Sequence, residues 1–231
     1  MITAQNPTLL SSNLWASREL HFTRGVLRGL EILALRAPKG NENAINREFY
    51  FCLLLASREL NPEGIYPGPV TECCNQPDPD DTVRAENEAK RPDFTWSYLD
   101  PHEPDPAKSS IQFIMECKRL GRPTSPQWIL TSNYVEHGIH RFVHPQWAYA
   151  KRFPSALMIG YWETMDGDEL LAEVNSVLNA KGLPDISLSS NGWQTSSTTE
   201  LYHMLSRPFP KSPFALKHFW LDLRAVTSAK S

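Results

Sequence analysis

The fold of this chain is indicated first by residues 111–118, which read IQFIMECK. A short apolar run that becomes charged at its end is typical of a buried strand whose last residues reach the sheet edge. Successive side chains on a strand point to opposite faces. We therefore expect Glu116 and Lys118 to share one face and Cys117 to point the other way, into the core.

A second strand is predicted immediately before it. Residues 93–98 read DFTWSY, with aromatic side chains at every second position, which is a strand pattern. The segment 100–110 is rich in proline and acid and predicts a connecting loop. Two strands joined in this way form a hairpin, and a hairpin would allow Asp93 to approach Glu116.

Hydrophobic periodicity predicts further elements on both sides of the hairpin. Helices are predicted at 17–36, 43–60, 166–180 and, in short form, 199–205, with a mixed helical pattern at 127–151. Strands are predicted at 65–72, 156–162 and 214–223. The expected fold is α/β, with a mixed central sheet flanked by helices. We expect a single domain over 1–231, with residues 1–15 as a flexible arm.

Composition narrows the class of protein. The chain has 231 residues with 41% hydrophobic and 21% charged side chains, an ordinary globular mixture that excludes general disorder. Its formal net charge of -3 excludes binding of nucleic acid through bulk charge alone. Any such contact must be local, or shared with a second copy or a partner subunit.

The cysteines and the hydropathy indicate a cytoplasmic chain. Cys52, Cys73, Cys74 and Cys117 lack the spacing of a disulfide framework or a zinc finger, which favours a reducing compartment. Residues 1–17 lack a secretory pattern, and no stretch approaches the roughly 18 apolar residues of a membrane span.

Asp93, Glu116 and Lys118 form the constellation that carries chemistry. Two carboxylates at one point repel each other unless a cation joins them, and hard oxygen ligands suit Mg²⁺ or Mn²⁺. Such an ion holds a phosphate oxygen and lowers the pKa of a bound water, while an ammonium stabilises transition-state charge. A bare Glu-x-Lys at a strand end is a weak pattern. The Pro92-Asp93 pair and the apolar strand strengthen it.

These residues resemble the signature of a known family. Pro92-Asp93 followed by Glu116-Cys117-Lys118 looks like the motif of the PD-(D/E)XK, or restriction-endonuclease-like, nuclease superfamily, and the predicted order of elements over about 43–162 is similar to its αβββαβ core. The resemblance implies that Asp93, Glu116 and the backbone carbonyl of Cys117 bind Mg²⁺ or Mn²⁺, and that Lys118 contacts the attacking water. It implies DNA as the substrate. Residues 116–120 also resemble bacterial members of the superfamily, which adds phage defence as an expected role.

The resemblance also implies a further acidic residue from the first core helix. Glu48, in the middle of the predicted helix beside apolar residues, suits that position, and Glu42 is the alternative. The competing interpretation of Glu48 is a solvated helix face on which it pairs with Arg47 or Arg58.

Several other polar residues flank the motif. Five basic residues are predicted to hold phosphates on both sides of the scissile bond, although each alone also fits ordinary surface charge: Lys90, Arg91, Arg119, Arg122 and Arg141. On one continuous helix, His137, His140 and His144 would share a face, which leaves a zinc site as an alternative to loop histidines. Trp128 and Trp147 could stack on unpaired bases.

A second class of function competes with the nuclease. The chain could be an interaction subunit that keeps the nuclease fold without catalysis, in a larger nucleic-acid-processing assembly. The presence of Asp93, Glu116 and Lys118 together favours the enzyme. The strandedness of the nucleic acid is left open.

Overall fold

The computed structural model describes residues 7–81, 83–195 and 197–224. Within those ranges there are four α-helices and one seven-stranded sheet. The helices are α1 (Pro7–Arg36), α2 (Glu42–Leu60), α3 (Leu130–Glu136) and α4 (Gly167–Ala180). The strands are β1 (Val70–Thr71), β2 (Phe94–Leu99), β3 (Ser110–Leu120), β4 (Ser155–Trp162), β5 (Ser187–Leu188), β6 (Thr198–Leu205) and β7 (Phe214–Asp222).

The sheet is mixed, with the order β1-β2-β3-β4-β7-β6-β5. β2 and β3 form the predicted antiparallel hairpin, in which Phe94 lies opposite Met115. β3, β4 and β7 run parallel, and β6 returns antiparallel beside β7. The α/β prediction is confirmed, and the elements from α2 to β4 follow the order helix, three strands, helix, strand.

The two faces of the sheet bury two separate hydrophobic cores. α1 and α2 pack on one face against Phe113, Met115 and Cys117. α3 and α4 pack on the other face, against Ile114 and Leu120 of β3. Along β3, residues of the second core thus alternate with residues of the first. Because both faces are covered, β3 is buried along nearly its whole length, as its apolar sequence predicts. Cys117 is fully buried in the first core, as expected from the alternation.

The helix α1 begins earlier than the sequence pattern suggested. Residues 7–15, predicted as part of a flexible arm, belong to this helix, while residues 1–6 lie outside the described part of the chain. The Trp15 ring is buried and stacks on Phe153 with ring centroids 5.1 Å apart. Its indole N–H donates to the hydroxyl of Ser155 at 3.1 Å. Burial of this one large side chain attaches the helix start to the sheet.

Residues 199–205 are a strand rather than the predicted short helix. Thr199, Leu201, His203 and Leu205 are buried in β6, while the residues between them are more exposed, which is the period of two that a strand requires. Pairing with β7 over the whole length of β6 satisfies its backbone and decides between the two patterns.

Two other segments contain less regular structure than expected. The strand predicted at 65–72 is reduced to Val70–Thr71. The helical pattern at 127–151 yields α3 and one 3-10 turn at Ile139–Phe142, and the rest is irregular. In the described ranges, no helix is long and apolar enough to cross a membrane.

One buried arginine, Arg207, holds the irregular segment 142–153 in place. Arg207 donates to the carbonyls of Phe142, Tyr149, Ala150 and Phe153 at 2.7–3.2 Å. Its guanidinium lies 3.6 Å from the centroid of the Phe214 ring. Burial lowers the pKa of Arg207 to about 9. These bonds link four backbone carbonyls of the segment 142–153, most of which lies outside helices and strands.

Gly160 in β4 offers a test of the packing at the centre of the sheet. A Cβ at this position would lie 2.4 Å from Leu120 Cδ1 and 2.7 Å from Trp220 Cδ1. We expect Gly160→Ala to lower the free energy of unfolding by about 1–3 kcal/mol in urea titrations. The matched control is Gly25→Ala in α1, where nothing lies within 4 Å and a gain of about 0.5–1 kcal/mol is expected. Equal effects of the two substitutions would contradict the packing described.

Candidate functional site

The ammonium group of Lys118 lies among three carboxylates that come from three different elements. Its Nζ is 2.8 Å from Glu42 Oε1, 3.0 Å from Glu116 Oε1 and 3.8 Å from Asp93 Oδ2. It also donates to the backbone carbonyl of Cys117 at 2.7 Å. Burial would lower the pKa of Lys118, but the surrounding carboxylates raise it above its usual range. The lysine is therefore held charged. We call the carboxyl groups of Glu42, Asp93 and Glu116, together with the two basic side chains that contact them, Lys118 and Arg141, the acidic cluster.

Asp93 is positioned by the β2–β3 hairpin. It directly precedes Phe94, so it lies at the level of Glu116 on the neighbouring strand. Its Oδ2 accepts a hydrogen bond from the backbone N–H of Cys117 at 2.7 Å. Burial raises the pKa of Asp93, and the charge of Lys118 and this hydrogen bond offset only part of the effect.

Glu116 is the most deeply buried member of the acidic cluster. Its Oε1 accepts from Lys118 and from Arg141, while its Oε2 is buried without a hydrogen-bond partner among the described residues. Burial raises its pKa to about 8, and the nearby charge of Asp93 adds to the effect. A buried oxygen without a partner is costly for folding, so this atom is a candidate contact for a bound ligand or metal ion.

Arg141 approaches Glu116 from the 3-10 turn that follows α3. Its guanidinium lies 4.3 Å from the centroid of the Trp147 ring. Lys90 lies over the same indole at 4.5 Å. Arg207 bonds to the carbonyls of residues 142–153, so it holds the segment that carries Trp147. No sequence pattern identified Arg207, because its partners are backbone atoms that are distant along the chain.

The helix acid that reaches the cluster is Glu42, whereas the sequence pattern favoured Glu48. Glu48 is placed away from the cluster, with its carboxylate near Arg36 and Arg47 at 3.5 and 3.4 Å and its side chain 41% exposed. Glu42 is the first residue of α2, and its Oε2 accepts from the backbone N–H of Arg119 at 3.3 Å. The start of α2, and not its middle, therefore faces the end of β3.

The start of α2 is fixed by two polar contacts. The Asn41 side chain caps the helix by accepting from the backbone N–H of Ala44 at 3.0 Å. One turn further, Asn46 Oδ1 accepts from the Tyr161 hydroxyl of β4 at 2.7 Å. These contacts hold Glu42 against the sheet.

Gly138 gives the stem of Lys118 its space on the α3 side. A Cβ at residue 138 would lie 2.1 Å from Met158 Cε and 3.3 Å from Lys118 Cγ. The turn after α3 therefore approaches the lysine more closely than any larger residue would allow.

The five predicted basic residues are placed in different ways. Arg141 bonds to Glu116, and Arg119 makes two hydrogen bonds to Glu163 at 2.6 and 2.7 Å. Lys90 packs on Trp147, as described. Arg91 and Arg122 are exposed. The structure therefore brings Arg119 and Arg141 to the acidic cluster and leaves Arg91 and Arg122 at the surface.

The three histidines do not lie on one helix. α3 ends at Glu136, so His137 caps it and His140 belongs to the following 3-10 turn. The rings of His140 and His144 lie 4.9 Å apart. In the described residues, no group of three or more His, Cys, Asp or Glu side chains is arranged to hold a metal ion, so the zinc alternative gains no support.

The acidic cluster nevertheless has the donor chemistry that Mg²⁺ or Mn²⁺ requires. Its acceptors are all oxygens, from Glu42, Asp93, Glu116 and the Cys117 carbonyl, and Glu116 Oε2 is buried without a partner. With every group ionised, three carboxylates face two cations. The ammonium of Lys118 is the cation on which these oxygens converge here, so the residues fit a metal by chemistry rather than by a formed cage.

A cleft of about 610 Å³ opens beside the acidic cluster, and we call it the Trp128 cleft. Its lining includes Glu42, Lys118, Arg119, Trp128, Asn133 and Arg141. A second cleft of about 340 Å³ lies on the Asp93 side, and we call it the Phe51 cleft. Its lining includes Asn43, Asn46, Arg47, Tyr50, Phe51 and Asp93. The acidic cluster is thus reached from two sides.

Comparisons with models of known protein families, with curated proteins and with solved structures find no match to this chain. Any functional conclusion must therefore come from the residues and their geometry.

The raised pKa of Glu116 predicts a specific pH dependence of stability. A carboxyl whose folded pKa lies above its ordinary 4.5 stabilises the fold below pH 4.5, and this stabilisation is lost as the pH rises through about 8. From pH 5 to pH 9 we expect wild type to lose roughly 2–5 kcal/mol more unfolding free energy than Glu116→Gln. Urea titrations in EDTA measure this difference. Glu48→Gln, at an exposed carboxylate, should follow wild type, and parallel curves for all three proteins would contradict the assignment.

Proposed function

We propose that this protein is a metal-dependent nuclease that hydrolyses phosphodiester bonds in DNA with Mg²⁺ or Mn²⁺. The observation that carries the proposal is the convergence of three carboxylates and a backbone carbonyl on the ammonium of Lys118, at the edge of an open cleft. Carboxylates gathered at one buried point repel each other and are costly for folding unless a cation lies among them.

Each member of the acidic cluster has a chemical role in this proposal. Asp93, Glu116 and the Cys117 carbonyl would hold the metal, with Glu42 as the further acid. When bound, the metal would supply a polarised phosphate and a water of lowered pKa. Lys118, held charged by its neighbours, would orient that water and stabilise the negative charge of the transition state.

Arg141 and Arg119 extend the positive groups into the Trp128 cleft. Each is paired with a carboxylate, so each is oriented before a ligand arrives. Guanidinium groups hydrogen-bond phosphate oxygens well, and contacts of this kind position a backbone without reading its sequence. The four cysteines are free thiols, which supports a cytoplasmic setting for this activity. A role in phage defence remains part of the proposal on the resemblance alone.

A cleavage assay tests the proposal directly. Supercoiled and linear DNA are incubated with the purified chain in Mg²⁺, Mn²⁺ or EDTA. We expect metal-dependent cleavage that falls about 10²–10³-fold in Lys118→Ala and in Asp93→Ala, because the first removes the charge that would stabilise the transition state and the second removes an oxygen ligand of the metal. Glu48→Gln should cleave like wild type, because its carboxylate is turned away from the cluster.

The contrary result is equally clear. Circular dichroism and urea titration establish that each variant is folded. Absence of cleavage by the folded wild type under every metal condition would overturn the nuclease and favour the interaction subunit. Equal cleavage by wild type and Lys118→Ala would show that the activity comes from elsewhere.

Metal binding separates Glu42 from Glu48 as the further acid. Calorimetric titration with Mn²⁺ should show affinity weakened about 10-fold or more in Glu42→Gln, since a charged oxygen near the ion is lost. The same substitution at Glu48 removes an equal charge from the same helix and should leave the affinity unchanged. A loss at Glu48 with none at Glu42 would reverse the assignment.

A further inference from the structure

We propose that the ligand of this site is single-stranded (unpaired) DNA, with one of its bases stacked on Trp128 in the Trp128 cleft. The inference rests on the proposed function for the position of the scissile bond, and it specifies the substrate class. Trp128 is 55% exposed although it is a large aromatic residue, and it lines the same cleft as Lys118 and Arg141.

Trp128 is presented on a fixed turn. Its backbone N–H donates to the carbonyl of Ser125 at 3.0 Å, and its carbonyl accepts from the N–H of Thr124 at 3.1 Å. These bonds close residues 124–128 and leave the indole at the cleft. Because the backbone that carries the ring is ordered in advance, less freedom is lost on binding, which favours stacking.

The other predicted stacking residue is already engaged. Both Arg141 and Lys90 lie over the Trp147 ring, at 4.3 and 4.5 Å from its centroid. Trp147 therefore positions the arginine that contacts Glu116. Trp128 differs from it in being exposed at the cleft.

A strand bound in the Trp128 cleft would extend past the acidic cluster into the Phe51 cleft. Asn43, in the first turn of α2, lines both clefts, so the two clefts adjoin at this turn. From Glu42 to Phe51 the helix rises about 14 Å, so a strand that follows it would pass Asp93. At its far end the Phe51 ring is 39% exposed and lies 5.0 Å from the Arg47 guanidinium. An aromatic side chain is thus available on each side of the acidic cluster.

The charge of the site favours an unpaired strand over a duplex. Arg119 and Arg141 already pair with the carboxyl groups of Glu163 and Glu116, and the whole chain carries a formal charge of -3. Phosphate contacts alone, which dominate duplex binding, are therefore weak here. A duplex keeps its bases stacked on one another, whereas an unpaired strand offers their faces to Trp128 and Phe51.

Binding without cleavage tests this inference. Fluorescence anisotropy with labelled oligodeoxythymidylate, and with a duplex of equal length, is measured at low salt in EDTA. We expect the unpaired strand to bind more tightly than the duplex. Trp128→Ala should weaken binding of the unpaired strand about 10-fold and leave duplex binding unchanged, while Trp128→Phe restores most of the affinity. Tyr202→Ala, which removes an exposed aromatic residue of β6, is the matched control and should bind like wild type.

The outcomes distinguish this inference from the proposed function. Preference for the duplex, or equal binding of both ligands by wild type and Trp128→Ala, overturns the inference even if DNA is cleaved. Loss of self-association in Trp128→Ala with unchanged oligonucleotide binding also overturns it, because the indole would then be a protein contact. Binding that depends on Trp128 in a chain that never cleaves supports the inference while the nuclease proposal fails.

Discussion

The arrangement of the whole site depends on one electrostatic constraint, the charged Lys118 ammonium that three carboxylates surround. Each carboxylate alone would be costly to bury, and the lysine makes their proximity tolerable. Those carboxylates arrive from the start of α2, the residue before β2 and the end of β3. The interaction therefore ties together three elements that are far apart along the chain.

The parts of the protein outside the acidic cluster serve to hold this arrangement. The hairpin aligns Asp93 with Glu116, and its carboxylate bonds to the backbone of Cys117. Arg207 organises the irregular segment behind Arg141 through backbone carbonyls. Helices cover both faces of the sheet beneath the site. A cluster with opposing charges in a buried position needs such support, because small displacements would leave an unpaired charge.

The proposed chemistry and the proposed substrate class rest on different features. The nuclease proposal rests on buried oxygen ligands and a charged lysine. The proposal of an unpaired strand rests on Trp128 and Phe51, which lie in open clefts on both sides of those ligands. The first concerns which bond is broken, and the second concerns which form of nucleic acid reaches it.

The sequence by itself determined the strands of the hairpin, the presence of the strand that follows and the shared face of Glu116 and Lys118. Period and composition encode these features locally. It could not decide between Glu42 and Glu48, because both lie on one helix and the packing of α2 alone determines which end meets β3. The same limit applies to residues 7–15, to β6 and to Arg207. Their conformations are determined by partners distant in sequence, since burial of Trp15 and pairing with β7 outweigh local preference.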